Sequence, residues 1–165
     1  MSRALVRGEG SALGGVRVIR RAAPDDVSAI AALVHDAYEK YVARIGRTPA
    51  PMTTDFGRLV LDGGVWVLET DGEIVGLIVL TAHPDHLLVG NVAVAPARQG
   101  QGLGKRLLAF AEAQARAAGL GELRLYTNVK MHENLALYER LGWTRYAEAE
   151  QDGFRRVFMR KTLHG

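Results

Sequence analysis

The sequence predicts an α/β (α+β) fold, one β-sheet domain covered by helices, with elements in the order β-α-α-β-β-β-α-β-α-β-β. Three observations carry the prediction. Val27, Ile30, Leu33, Val34, Ala37 and Tyr41 recur at helical spacing, as do Leu103, Leu107, Phe110 or Ala111, and Ala115. Leu87 to Val94 is apolar on both alternating sets of positions, the pattern of a strand buried on both faces. Asp71-Gly72 separates two β-rich segments as a hairpin turn does.

In chain order, Met1 to Gly15 reads as a flexible leader, because it carries arginines but no apolar segment followed by a small-residue cleavage site. Residues 16 to 165 then form the single domain. Val16 to Arg21 interleaves valines and arginines around Ile19 and suits a short strand near a sheet edge. Pro24-Asp25-Asp26 supplies the proline and first-turn acids that open a helix, which should run to about Arg44. Pro49 and Pro51 break it, and Thr54 to Leu61 forms a second short helix ended by Asp62-Gly63-Gly64. Val65 to Glu69 and Ile74 to Thr81 pair as the hairpin, and the buried strand from Leu87 stops at Pro96. The long helix from Gly102 ends at Gly119. Leu123, Leu125 and Thr127 mark a further strand, His132 to Leu141 a helix closed by Gly142, and Trp143 to Glu148 with Phe154 to Lys161 two last strands about the turn Gln151-Asp152-Gly153. No repeat or low-complexity tract interrupts the order.

Composition narrows the function classes. A chain of 165 residues can bury roughly 68 to 70% of the surface its unfolded form exposes. Charged residues make up 24% and hydrophobic ones 48%, a globular balance, and the apolar runs are too short to span a bilayer. With no cysteine there is no disulfide, thiolate metal site or cysteine nucleophile, no metal is expected, and the cytoplasm is the expected compartment. The net charge of +3 and pI near 9.4 suit an anionic cofactor. No basic stripe interleaved with aromatics argues for nucleic acid.

The chemistry concentrates at Gln99-Gly100-Gln101-Gly102-Leu103-Gly104, which lies between the buried strand and the long helix. Helix-start N–H groups lack intrahelical partners and the dipole there favours an anion. Glycines permit close approach, and Arg98, Lys105 and Arg106 add positive charge. A pyrophosphate would be held here. Gly104-Lys105-Arg106 lacks the magnesium-binding hydroxyl and the spacing of a Walker loop, and the turn is one residue short of the dinucleotide fingerprint G-x-G-x-x-G. Nucleotide triphosphatases and Rossmann enzymes are therefore disfavoured.

Val92-Ala93-Val94-Ala95-Pro96 followed by Arg98-Gln99-Gly100-Gln101-Gly102-Leu103-Gly104 resembles motif A of the GNAT superfamily of N-acetyltransferases, Q/R-x-x-G-x-G/A. Asn134-Leu135-Ala136-Leu137-Tyr138-Glu139-Arg140-Leu141-Gly142-Trp143 is similar to its motif B, shortened between Asn134 and Leu137. The resemblance spans about residues 16 to 162. It implies a mixed, mostly antiparallel sheet of about seven strands with about four helices, splayed between the fourth strand (from Leu87) and the fifth (from Leu123).

It also implies acetyl-CoA as co-substrate, with Val92, Ala93 and Val94 of the fourth strand along the pantetheine, and Gln99, Gly100, Gln101, Gly102, Leu103, Gly104 and Lys105 around the pyrophosphate. Asn134 would hydrogen-bond the cofactor. Tyr138, on the same helix face four residues on, would act on the sulfur of departing CoA. The implied reaction is N-acetylation of a primary amine on a small molecule or amino-acid-like acceptor, by direct attack on the thioester. Tyr38, Tyr41 and Asn128 are the substrate candidates, and Arg44 could receive an acceptor carboxylate. Many relatives carry a glutamate just before Asn-Val-Ala-Val, where this chain has Gly90, so a strand base is in doubt. Glu39, His86, His132 and Glu133 are the substitutes, each more readily a solvated polar residue, and none is assigned as catalytic. A non-catalytic acyl-CoA-binding or regulatory domain and a protein N-terminal acetyltransferase are the alternative functions, and a homodimer is left open.

Overall fold

A computed structural model describes residues 6–7 and 16–164, and the chain falls into two compact units. One comprises Met1–Leu80 and Asn91–Phe110, the other Thr81–Gly90 and Ala111–Gly165.

In the first unit, strands β1 (Val6–Arg7), β2 (Arg17–Arg21), β3 (Val65–Thr70) and β4 (Glu73–Ala82) lie side by side in that order, antiparallel from β1 to β4, with β5 (Leu87–Val94) next to β4. Asp71 and Gly72 both take positive φ, 52° and 81°, so the predicted hairpin turns as type I′, the form whose twist matches its strands. Ile19, Leu68, Leu77 and Ile78 are fully buried. Helix α4 (Leu103–Ala117) packs its first turns on them: Phe110 lies 4.9 Å from the Trp66 ring, and a Cβ added at Gly76 would come within 3.2 Å of Leu107. Gly76 is thus the space in β4 that lets the helix approach.

Three elements of this unit differ from the sequence expectation. The first helix begins with a 3₁₀ turn, Pro24–Asp26, and divides into α1 (Val27–Tyr38) and α2 (Tyr41–Ile45) instead of running unbroken to Arg44. Glu39 and Lys40 keep right-handed backbone angles, but Val42 N–H donates to Glu39 O, so the chain tightens into an i→i+3 turn there. The second helix, α3 (Phe56–Leu61), starts after Asp55, whose carboxylate accepts the Arg58 N–H at 3.1 Å as an N-cap. Val6–Arg7, inside the segment read as leader, pair with β2; the rest of that leader lies outside the described residues.

In the second unit the order is β5-β6-β8-β7. β6 (Glu122–Asn128) runs parallel to β5 from Leu87↔Leu123 to Val89↔Leu125, and antiparallel to β8 (Phe154–Thr162) along its whole length. β7 (Thr144–Gln151) pairs with β8 and is exposed throughout. Leu123, Leu125, Val157 and Met159 form the buried face. Helix α5 (His132–Arg140) ends at Leu141, and the Lys161 ammonium donates to the Leu141 carbonyl at 2.6 Å, satisfying a C-terminal acceptor. The fold is therefore the predicted mixed, mostly antiparallel one, with a single parallel ladder between β5 and β6 and with eight strands and five α-helices among the described residues. No helix among these residues is long and apolar enough to cross a membrane.

Candidate active site

The feature that positions the first half of the site is a one-sided strand. The ladder of β5 with β6 ends at Val89, while β5 continues to Val94. Ala95 N–H donates to Val75 O at 2.8 Å, and the Ala93 carbonyl lies against Gly76, so residues 93 and 95 turn their backbone groups toward β4. By the alternation of a strand, the N–H and C=O groups of Val92 and Val94 face the other way. Along that edge the Tyr38 hydroxyl lies 3.5 Å from the Val92 carbonyl and 3.5 Å from Asn91 Oδ1, and its single proton serves one at a time. The Gln99 side-chain amide donates to the Val94 carbonyl at 3.2 Å. Ala93 is buried by its side chain, while Val92 and Val94 are half-buried.

The glycine turn follows directly. Gly100 and Gly102 have φ of 84° and 77°, and a Cβ built at either meets nothing within 4 Å, so these positions are backbone bends that open onto free space. Gly102 O accepts the Arg106 N–H at 3.1 Å, which leaves the N–H groups of Leu103, Gly104 and Lys105 ahead of the helical ladder. Gln101 is exposed, Lys105 is exposed at the first turn, and Leu103 is buried as the anchor of α4. The outward N–H groups of β5, next to a helix-start turn with a lysine, fit the carbonyls of an extended diamide chain ending in a pyrophosphate. The two arginines counted with the turn do other things. Arg98 reaches Glu73 at 3.6 Å. Arg106 has Nε and Nη2 buried with no hydrogen-bond partner among the described residues, and burial, with the Arg17 charge nearby, pushes its pKa below the ordinary value.

Helix α1 and its continuation supply the polar rim of this unit. Tyr38 and Tyr41 are both buried with ring centroids 6.1 Å apart, Lys40 donates to Gln99 Oε1 at 3.2 Å, and the Lys40 and Arg44 cations lie 5.1 and 5.0 Å from the Tyr41 ring centre. Tyr38 is thereby brought to the β5 edge, whereas Tyr41 carries the two cations. Asn91 and Lys40 escaped the sequence reading. The signal for Asn91 was its place as the lone polar side chain of Leu87–Val94.

In the second unit, α5 presents Tyr138, buried with its ring 6.0 Å from Trp143, and Asn134, half-buried one turn earlier. The helix is joined to β6 by a turn that Asn128 builds: its Oδ1 accepts the Lys130 N–H at 2.9 Å and its carbonyl the Met131 N–H at 3.0 Å. Asn128 is thus engaged as a turn former. Of the candidate bases, His132 and Glu133 are exposed at the start of α5. His86 donates from Nδ1 to Asp85 Oδ1 at 2.7 Å and stacks on His83, ring centroids 4.6 Å apart. Glu39 is exposed and, with His35 and Asp36, places ligand atoms within 4.8 Å of one another, a cluster that one turn of helix produces by itself.

A one-sided strand edge leading into an anion-ready helix start is the geometry of an α/β fold that can take an extended donor chain. The model of the acetyltransferase (GNAT) family matches residues 29–143, and the chain belongs to that family. Acetyl-CoA is the co-substrate of GNAT enzymes. The chain is 33% identical over 135 residues to the uncharacterized N-acetyltransferase YjgM of Escherichia coli (strain K12), across 76% of this chain and 81% of that one. It is 39% identical over 85 residues to the mycothiol acetyltransferase of Thermomonospora curvata, across 51% of this chain but only 29% of that longer protein. Among solved structures, the PaiA N-acetyltransferase of Thermoplasma acidophilum, in complex with coenzyme A, superposes with a TM-score of 0.75 at 17% identity, across 88% of this chain and 98% of that one, a likeness of fold.

Proposed function

We propose that the chain transfers the acetyl group of acetyl-CoA to a primary amine on a small-molecule or amino-acid-like acceptor. The observation that carries this reading is the outward-facing Val92 and Val94 backbone beside the Gly100–Gly102 turn. When bound, acetyl-CoA supplies an electrophilic thioester carbonyl and a thiol leaving group. The N–H groups of Val92 and Val94 hold the amides of the donor and polarise the carbonyl, a role for which each donor lowers the barrier by about 2.7 to 4 kcal/mol. Gln99, Gly100, Gln101, Gly102, Leu103, Gly104 and Lys105 receive the pyrophosphate through backbone N–H groups and one ammonium.

Tyr138 hydrogen-bonds the departing sulfur. A phenol of pKa about 10 is a weaker acid than a thiol of about 8.5, so full proton transfer would cost roughly 2 kcal/mol and a hydrogen bond suffices. Asn134 fixes the donor on the same helix face. With Gly90 at the usual base position, the acceptor amine loses its proton to water, and Tyr38 is the acceptor-side candidate that the β5 edge favours, with Tyr41 and Asn128 as the further candidates. A chain without cysteine suits a reducing compartment, so the proposed setting is the cytoplasm, with small molecules rather than nucleic acid as partners.

The test is release of free thiol from acetyl-CoA in the presence of a panel of amines. The protein has no cysteine, so a thiol reagent reads coenzyme A alone. Acetyl-dependent, amine-dependent thiol release supports the reading. Tight acetyl-CoA binding with no turnover on any amine overturns it in favour of a binding domain.

A further inference from the structure

Arg156 is a buried arginine that meets, among the described residues, two aromatic rings and an amide but no buried carboxylate. Its side chain is 9% exposed, and the guanidinium carbon sits 4.8 Å from the Tyr126 ring centre and 5.5 Å from that of Phe154. Nη1 donates to Gln151 Oε1 at 2.8 Å, and the one carboxylate within reach, Asp152 Oδ2 at 3.5 Å, is 81% exposed. A pair so wet and so long contributes little. Nε and Nη2, which form one straight edge of the guanidinium, have no hydrogen-bond partner among the described residues. A cation held in place by two aromatic rings and one amide, with its bidentate edge unused, is costly to keep unless something anionic meets it.

The position in the fold says what that is. Arg156 stands directly opposite Asn128 in the β6–β8 ladder, three residues past Leu125, where β6 loses its pairing with β5. Ligands of sheets with parallel strands gather beyond the carboxyl ends of those strands. The same end of β6 feeds, through Asn128 to Met131, into the helix that carries Tyr138.

We propose that Arg156 is the receptor for a carboxylate on the amine acceptor, which makes free α-amino acids or similar amino-carboxylates the substrate class. The identity of the bound molecule as an acceptor rests on the acetyl-transfer reading above; the carboxylate site itself does not. Tyr126 and Phe154 hold the guanidinium plane, Gln151 fixes its rotation, and Nε with Nη2 donate in parallel to the two carboxylate oxygens.

The experiment titrates free α-amino acids and their α-carboxamides into the CoA-saturated protein by calorimetry, where no turnover occurs, and measures kcat/KM for the same panel with acetyl-CoA. At least one amino acid binds, tighter than its carboxamide by about 10-fold or more. Arg156→Lys, which keeps the charge and loses the fork, brings that ratio to within about 3-fold. A role confined to holding the β7–β8 turn would lower the melting temperature and leave the ratio where it was. Asp152→Asn, at an exposed turn position, removes the competing carboxylate and keeps or strengthens the preference, which provides the reading should Arg156→Lys fail to fold. Equal binding of carboxamides, binding by no panel member, a ratio unmoved by Arg156→Lys, or loss of the preference in Asp152→Asn each overturns the proposal. Carboxylate-selective binding without acetyl transfer would sink the catalytic reading alone, and transfer to neutral amines without carboxylate preference would sink this one alone.

Discussion

Gln99 donates its side-chain amide to the Val94 carbonyl at 3.2 Å while its own carbonyl accepts from Lys40 at 3.2 Å, so one residue ties the glycine turn both to the strand edge before it and to the helix pair. The turn is held before any ligand arrives. One neutral hydrogen bond contributes about 0.5 to 1.5 kcal/mol net. Gln99→Ala should therefore weaken coenzyme A binding by about 3- to 10-fold with little change in melting temperature, read by calorimetry. Tighter binding in the variant would mean that Gln99 only competes for the Val94 carbonyl.

Gly102 carries a heavier consequence. At φ 77° any L side chain is strained, by about 1 to 2 kcal/mol, and the space ahead of its missing Cβ is empty. Gly102→Val should lower the melting temperature by a few degrees yet abolish measurable coenzyme A binding, a loss of about 100-fold or more, because the side chain fills the place of the pyrophosphate. Wild-type affinity in a folded Gly102→Val protein would remove the anion-site assignment.

Much of this was legible in the chain. Leu87–Val94 announced a strand and Asp71-Gly72 a hairpin, but the burial on both faces that the apolar run suggested is not met: Leu87, Val89 and Ala93 are buried, while the alternate set, Val92 and Val94 included, is half-buried along the one-sided edge. The tightening at Glu39–Lys40 was not legible, since both residues keep helical angles and the apolar stripe runs through Tyr41. Nor was the pairing of Val6–Arg7, two residues whose strand state depends on β2. Among the candidate residues, the glycines and Lys105 stand out by composition, whereas Asn91 and Arg156, each in its own unit, stand out only through partners that the structure supplies, Tyr38 53 residues away and the Tyr126 ring on the neighbouring strand.

Tyr138→Phe separates chemistry from binding. Its ring packs near Trp143, and the phenyl of phenylalanine fills the same volume, so stability and coenzyme A affinity should hold. Loss of one hydrogen bond to a developing charge should cost about 1.5 to 3 kcal/mol, a fall in kcat of roughly 10- to 100-fold at unchanged KM for acetyl-CoA. An unchanged turnover number would strike Tyr138 from the mechanism.

The Arg20 guanidinium joins two acids, Asp26 at 2.7 and 3.0 Å and Glu69 through Nε at 2.8 Å, and pins the start of α1 to β2 and β3. The Arg20 hydrogen bond, and after it the Ala23 N–H, hold the Asp26 carboxyl below its usual range against the opposing effect of burial. A depressed pKa in the folded state means stability that is fully present above the unfolded value, about 3.9, and lost as pH falls through the folded one. Asp26 is 14% exposed, so solvent screening is modest, and Asp26→Asn should cost about 1.5 to 3 kcal/mol at pH 7. Urea unfolding of both proteins from pH 7 to pH 2 should show the gap constant down to about pH 5 and shrinking steadily below about pH 4. A gap of the same size at pH 2 as at pH 7 would show that Asp26 contributes by its shape and hydrogen bonding and not by its charge.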